Sequence, residues 1–220
     1  MKEYKSDNIR NIALVGHGGS GKTTLVEAAA LTTGIITRMG KIEDGNTISD
    51  YDKMEIEKEM SIGASIIPLE WNNVKLNIMD TPGYFDFVGE VLSTFRVADA
   101  AVIVVDASSG VQVGTEKVWK YAKQKNLPLF ILINKMDKEN IDFENIVNQL
   151  RDTFGKSIAP FMLPTGGEDF TGFVNIVDLK GRAFTNDGSK EADVSGDMMD
   201  KASSIREMLI ESVAESDEEL

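Results

Sequence analysis

Lys22 and Thr23 close the octapeptide GHGGSGKT at residues 16–23, which fits the pattern GxxxxGK[ST]. A triphosphate must meet several donors at once, and side chains near the backbone would block that approach. Gly16, Gly18, Gly19 and Gly21 remove them, so that bared amides and the positive end of a following helix can face phosphate oxygens. His17 and Ser20 complete the loop and Thr24 follows it, which makes 16–24 the candidate phosphate cradle. Lys22 is placed to reach β- and γ-phosphate oxygens, and the Thr23 hydroxyl to ligate Mg²⁺, an ion that prefers oxygen. The competing reading is a glycine-rich turn. The apolar run Ile12, Ala13, Leu14, Val15 before the loop and the helix-prone LVEAAAL after it favour the phosphate loop. His17, the single histidine of the chain, reads as a structural loop residue rather than a base.

Two further clusters carry chemistry. Asp80-Thr81-Pro82-Gly83 ends another apolar segment. Asp80 stands where a carboxylate can hold Mg²⁺ beside Thr23, directly or through water, and Gly83 can offer an unobstructed amide to a γ-phosphate. Alone, these four residues also fit an ordinary strand-ending turn. Asn134-Lys135-Met136-Asp137 fits NKxD, a guanine-reading pattern. Asp137 can accept from N1 and the exocyclic amine of guanine together, a donor pair that adenine lacks. The Lys135 stem can lie along the base, and Asn134 can tie this segment to the phosphate loop. A site built for such bonds rejects ligands that leave its groups unpaired. The expected ligands are therefore GTP and GDP with Mg²⁺, and an ATPase is disfavoured.

The elements that must position these clusters follow from periodicity. Apolar runs at 8–15, 100–105 and 127–133 read as buried parallel strands. Residues 65–71 and 74–79, separated by Asn72-Asn73, read as a hairpin. Helices are expected from 24, from 88 (Val88, Val91, Leu92 and Phe95 as its stripe), over 111–122 and after the cap Asp142, where Ile141 and Ile146 form a staple. Alternation of this kind predicts an α/β fold, a P-loop NTPase with a mostly parallel sheet and helices on both faces. All three clusters then fall at the carboxyl ends of strands, where such sheets bind ligands. Residues 33–60 lose any pattern, and so long an irregular stretch is expected to be functional or mobile, here a nucleotide-sensing switch, with a merely floppy insertion as the alternative.

After Phe154 the texture changes: short strands at 157–165 and 173–179, glycine-punctuated turns, and a terminal helix with Met198, Ala202, Ile205, Leu209 and Val213 on one face. The expected domains are 1–154 and 155–220. Trp71 and Trp119 read as packing residues, and the acidic run Glu215 to Glu219 as a solvated helix end.

The 220 residues carry a formal charge of −13, from 36 acidic and 23 basic side chains. That balance argues against nonspecific attraction to nucleic acid, so free DNA is not an expected partner. No apolar run approaches the roughly 20 residues of a membrane span. The polar N-terminus lacks a signal core, and the absence of cysteine fits a reducing cytoplasm.

The chain resembles the N-terminal GTPase region of translation elongation factor G, and most of all its divergent paralogues. The resemblance is carried by Arg10-Asn11-Ile12, GHGGSGKTTL, the segment from Gly40 to Gly45 leading to Ser49-Asp50-Tyr51, DTPGYFDFVGEV, DASSGVQVGTEKVW, NKMD, and LPTGGEDFTGFVNIVDLKGRAF. It implies Mg²⁺-dependent GTP hydrolysis, with Lys22, Gly83 and Tyr84 in the catalytic region, and the ribosome as partner. It also implies that residues 155–220 begin the subdomain inserted into that GTPase domain. The final strand, the Ser-Ala base-contacting loop and the closing helix would then lie beyond Leu220, and nucleotide affinity is expected to be weakened. Departures from the family pattern fall at Gly18 and Gly19, where the family has an apolar residue and an aspartate, and at Tyr84, where it has the histidine that positions water. A phenol orients water but exchanges a proton less readily than imidazole at neutral pH. A slowly hydrolysing, ribosome-binding switch is thus the alternative expectation. The switch signature RGITI corresponds to Lys58-Glu59-Met60-Ser61-Ile62, which implies Ser61 as the Mg²⁺-ligating hydroxyl, with Ser65 the weaker candidate.

Overall fold

In the computed structural model, which describes residues 2–185 and 188–214, the chain forms two compact units, Met1–Asn134 and Lys135–Leu220. The first is built on β1 (Ile9–Gly16), α1 (Lys22–Thr32), α2 (Lys53–Lys58), β2 (Ser65–Trp71), β3 (Val74–Asp80), α3 (Val88–Thr94), β4 (Ala100–Asp106), α4 (Val113–Gln124) and β5 (Leu129–Asn134). Its sheet runs β2-β3-β1-β4-β5, parallel except for β2, which pairs antiparallel with β3 at the edge. An edge strand accommodates Pro68, which has no N–H to give a ladder.

The sheet is covered on both sides because its central strands alternate apolar side chains to both. Leu14 joins Val26 and Ala30 of α1 with Ile67, Leu69 and Ile78 in one buried cluster. Ala13 and Val15 point the other way and are equally buried, and α4 packs on β1 and β4 through a face including Thr115, Val118 and Ala122. The expected hairpin is present: Asn72 and Asn73 both take left-handed backbone, φ 45° and 62°, as a two-residue turn twisted like its strands requires.

Several expectations needed correction. The stretch at 33–60 is not wholly irregular, because Asp52 caps a six-residue helix and Glu55 completes the capping box. Val91 of α3 and Phe95 just after it are buried but Leu92 is exposed, so the expected stripe is narrower. Trp71 is half exposed at the end of the edge strand instead of packed, while Trp119 is partly buried.

The second unit holds α5 (Phe143–Phe154), β6 (Met162–Thr165), β7 (Gly172–Asn175), β8 (Lys180–Thr185), β9 (Gly188–Ala192) and α6 (Gly196–Ala214). The four strands form an antiparallel meander in chain order. Its core is Leu163, Val174, Ile176 and Ala202, joined by Met198, Ile205 and Leu209 of the terminal helix and by Phe143 of α5. Helix α5 packs with the second sheet through Phe143, and the two compact units divide after Asn134. Asp142 caps α5 as expected, accepting from the Asn145 amide at 3.0 Å. Strands β8 and β9 were not expected from the sequence. The acidic run from Glu215 lies outside the described residues.

Candidate nucleotide-binding site

Pairing registers bring the carboxyl ends of the parallel strands side by side: Leu14 opposite Asp80, Gly16 opposite Val104, Asp106 opposite Asn134. The phosphate loop leaves β1 at Gly16, where φ is +147° and a Cβ would stand 2.4 Å from the Val104 carbonyl oxygen. Only glycine lets the first strand end so close to its neighbour. Gly19 and Gly21 also take positive φ, and Lys22 is the first residue of α1, so the helix starts two residues earlier than periodicity suggested. The loop amides and the helix N-terminus then form one electropositive rim.

Lys22 is buried, with its ammonium donating to the carbonyls of Gly16 (3.3 Å) and His17 (3.1 Å). Burial pushes its pKa down to about 8, against the attraction of Asp80 and Asp50. Thr23 donates to Asp80 Oδ2 at 2.8 Å, and its hydroxyl lies 3.3 Å from that of Ser61. Burial raises Asp80 to about 6, partly offset by the Thr23 hydrogen bond and by Lys22. The segment carrying Asp80 is fixed to the first strand by Thr81, whose hydroxyl donates to the Leu14 carbonyl at 2.6 Å. Gly83 lies against the loop: a Cβ there would be 2.6 Å from Gly18 N and 2.7 Å from Lys22 Nζ. At the far end of the loop, Asn134 Nδ2 donates to the Ser20 carbonyl at 2.9 Å, the tie expected of the NKxD asparagine.

The expected residues Gly16, His17, Gly18, Gly19, Ser20, Gly21, Lys22, Thr23 and Thr24 thus share one rim with Asp80, Gly83, Ser61 and Asn134. Tyr84 continues from Gly83 and is half exposed. Lys135 and Asp137 open the second unit directly after Asn134, Lys135 with φ 62° and its carbonyl accepting from the Lys138 amide. Ser65 stands opposite Asp80 in the β2–β3 register, but its hydroxyl is committed to the Ser49 carbonyl, to which it donates at 2.6 Å.

The sequence matches the family of the elongation factor Tu GTP-binding domain over residues 7–215. The chain belongs to that family. A protein of Thermus thermophilus known from its crystal structure is similar over 96% of this chain, at 36% identity and a TM-score of 0.90. The match covers 32% of that protein, so the chain spans about a third of its length.

This GTP-binding domain also holds residues that reading the sequence missed. Asp50 is buried beside Lys22, and burial raises its carboxyl above the ordinary range, opposed by a hydrogen bond with Ser61. Glu27, on α1 one turn beyond Thr23, is 1% exposed and accepts from the amides of Gly40 and Ile48, both at 2.6 Å. Glu55 accepts from Asp52, Ile62 and Gly63, which holds the segment around Ser61. The capping spacing Asp52-x-x-Glu55 signalled the last of these; nothing local signalled the other two.

Among the described residues no group of three or more His, Cys, Asp or Glu side chains gathers as metal ligands. The donors here are instead hydroxyls mixed with carboxylates. Asp80 Oδ1 and Asp50 Oδ2 are buried with no hydrogen-bond partner among the described residues. An all-oxygen set with two unsatisfied carboxylate atoms fits Mg²⁺.

Proposed function

We propose that the domain binds Mg²⁺ with GTP and hydrolyses it to GDP and phosphate, as the nucleotide switch of an elongation factor G-like translational GTPase acting on the ribosome. The observation that carries this reading is the joining of Lys22, Thr23, Asp80 and Gly83 on one rim at the strand ends. In this reading residues 1–154 are the GTPase core and 155–220 the beginning of an inserted subdomain, in a cytoplasmic protein.

Mg²⁺ would be held by the Thr23 and Ser61 hydroxyls with Asp80 and Asp50, and would neutralise charge on the transferred phosphoryl group. Lys22 adds a buried cation to the same oxygens, and the glycine-bared amides of the loop hold them in place without reorganising. The Gly83 amide meets the γ-phosphate and loses that contact on its departure, which couples the segment after Asp80 to the nucleotide state. Asn134 braces the loop, Asp137 reads the guanine edge, and Lys135 covers the base.

The departure at Tyr84 favours a second reading, a GTP-dependent ribosome-binding switch with slow hydrolysis. Single-turnover phosphate release, with and without ribosomes and Mg²⁺, separates the two, alongside titration of labelled GDP, GTP and ATP. The enzymatic reading expects ribosome-stimulated, Mg²⁺-dependent release and preference for guanine. It fails if ribosomes give no stimulation and Tyr84→His gives no gain. Equal competition by ATP overturns guanine recognition.

A further inference from the structure

Gly18 and Tyr84 meet in a way the family pattern does not account for. A Cβ on Gly18 would lie 3.2 Å from Tyr84 Cζ, 3.3 Å from Cε2 and 3.4 Å from Cε1. The phenol end of the ring therefore leans on the apex of the phosphate loop, in the space a side chain at 18 would take. The next residue is anchored as well. Phe85 has Lys117 Nζ 3.7 Å above its ring and the imidazole of His17 edge-on at 6.4 Å. Two consecutive aromatic residues thus rest on two consecutive loop residues. Gly83 completes the approach, since any side chain there would strike Gly18 and Lys22.

We propose that the Tyr84 ring is a positioning residue that walls the γ-phosphate end of the loop by packing on Gly18, a wall supplied by the segment after Asp80 and not by the loop itself. The inference rests on the reading above, in which the γ-phosphate lies between Lys22 and Gly83. Gly18 is flanked by Gly19 at φ +77°, with no Cβ on either residue to restrict the apex. The ring confines that apex from outside. It acts through its faces and edges, so the hydroxyl is dispensable. GDP leaves the walled end unfilled, so the wall matters for the triphosphate alone.

The test is the dissociation rate of a fluorescent, non-hydrolysable GTP analogue and of fluorescent GDP from the full chain. Tyr84→Ala removes the wall, and Gly18→Val pushes the ring off it. Each should speed release of the GTP analogue about tenfold, the upper end of what one packed ring contributes, and Tyr84→Ala should leave GDP release within about twofold. Tyr84→Phe keeps the ring and should restore the wild-type rate. The double variant Gly18→Val with Tyr84→Ala should also return toward wild type, because the valine fills the space the ring vacates.

The proposal is overturned if Tyr84→Phe is as fast as Tyr84→Ala, if GDP release accelerates equally, or if the double variant shows the product of the two single effects. The expected pattern without any phosphate release would sink the hydrolytic reading alone. A wild-type domain that holds neither nucleotide would overturn both.

Discussion

Removing the Glu27 carboxylate should release the loop that carries Ser49 and Asp50 to the phosphate end of the site. Glu27 is buried on α1 and accepts two backbone amides, one from each side of the 40–48 excursion. A hydrogen bond to an ionised group contributes about 1.5–3 kcal/mol. Two such bonds, less the desolvation relieved when the carboxylate goes, set the cost of Glu27→Ala at about 2–4 kcal/mol. Glu27→Gln keeps one acceptor but turns an NH₂ toward the other amide, a loss of about 2 kcal/mol. Urea denaturation of the domain reads the total. Hydrogen exchange reads the location: the Gly40 and Ile48 amides should exchange about thirtyfold faster, the equivalent of ~2 kcal/mol of local opening, while β4 amides change only as global stability does. The loop should also deliver Asp50 less often, so Mg²⁺-dependent nucleotide affinity should fall with loop opening. A change below about 0.5 kcal/mol, with both amides as protected as before, would refute the reasoning.

Three further outcomes follow from the site. Burial raises Asp80 from 3.8 to about 6, so the folded domain keeps a proton that the unfolded chain has released, and this group's stabilisation is lost as pH rises across that window. Lys22, lowered from 10.5 to about 8, has released a proton the unfolded chain retains, so its contribution rises with pH between those values. The nucleotide-free domain should therefore melt lowest at about pH 6–8 as far as these groups decide, and Asp80→Asn should flatten the acid side; parallel melting curves for the two proteins would contradict this. Gly83→Ala puts a methyl 2.6 Å from Gly18 N, so the loop backbone must shift; GTP affinity should drop by at least about tenfold in titration, and the melting temperature should fall with it, because overpacking against backbone costs about 1–3 kcal/mol. Asp137→Ala removes the acceptor pair for guanine, and the preference for GDP over ADP should collapse to within about tenfold in competition binding.

The strand ends and the loop between β1 and α1 were legible because their signals are local. An apolar run followed by glycines, Lys and Thr specifies backbone and chemistry in one stretch. The Asn72-Asn73 turn and the Asp142 cap were legible for the same reason. Asp50 and Glu27 were not, because their roles exist only once the loop folds back on α1; Glu27 meets a partner 21 positions away. The short helix α2 left a signal in Asp52 and Glu55, but six residues without an apolar stripe give periodicity nothing to detect. Strands β8 and β9 read KGRAFT and GSKEA and lack alternation. They are set by pairing, in which Gly181 lies so close to Ala192 that a Cβ would be 2.6 Å from its carbonyl oxygen. The amphipathic face of α5 announced a helix but not which sheet it would cover.

The buried trio of Lys22, Asp50 and Asp80 has a consequence for what can enter. Ionised together, they hold one positive charge against two negative ones in a place screened from water. A naked polyphosphate arriving there meets repulsion that Lys22 alone cannot cancel, whereas one escorted by a divalent ion brings its own counterweight. In the proposed reading these three side chains would act as an admission filter, and chelation of the escort should close it to the nucleotide even with every loop amide in place.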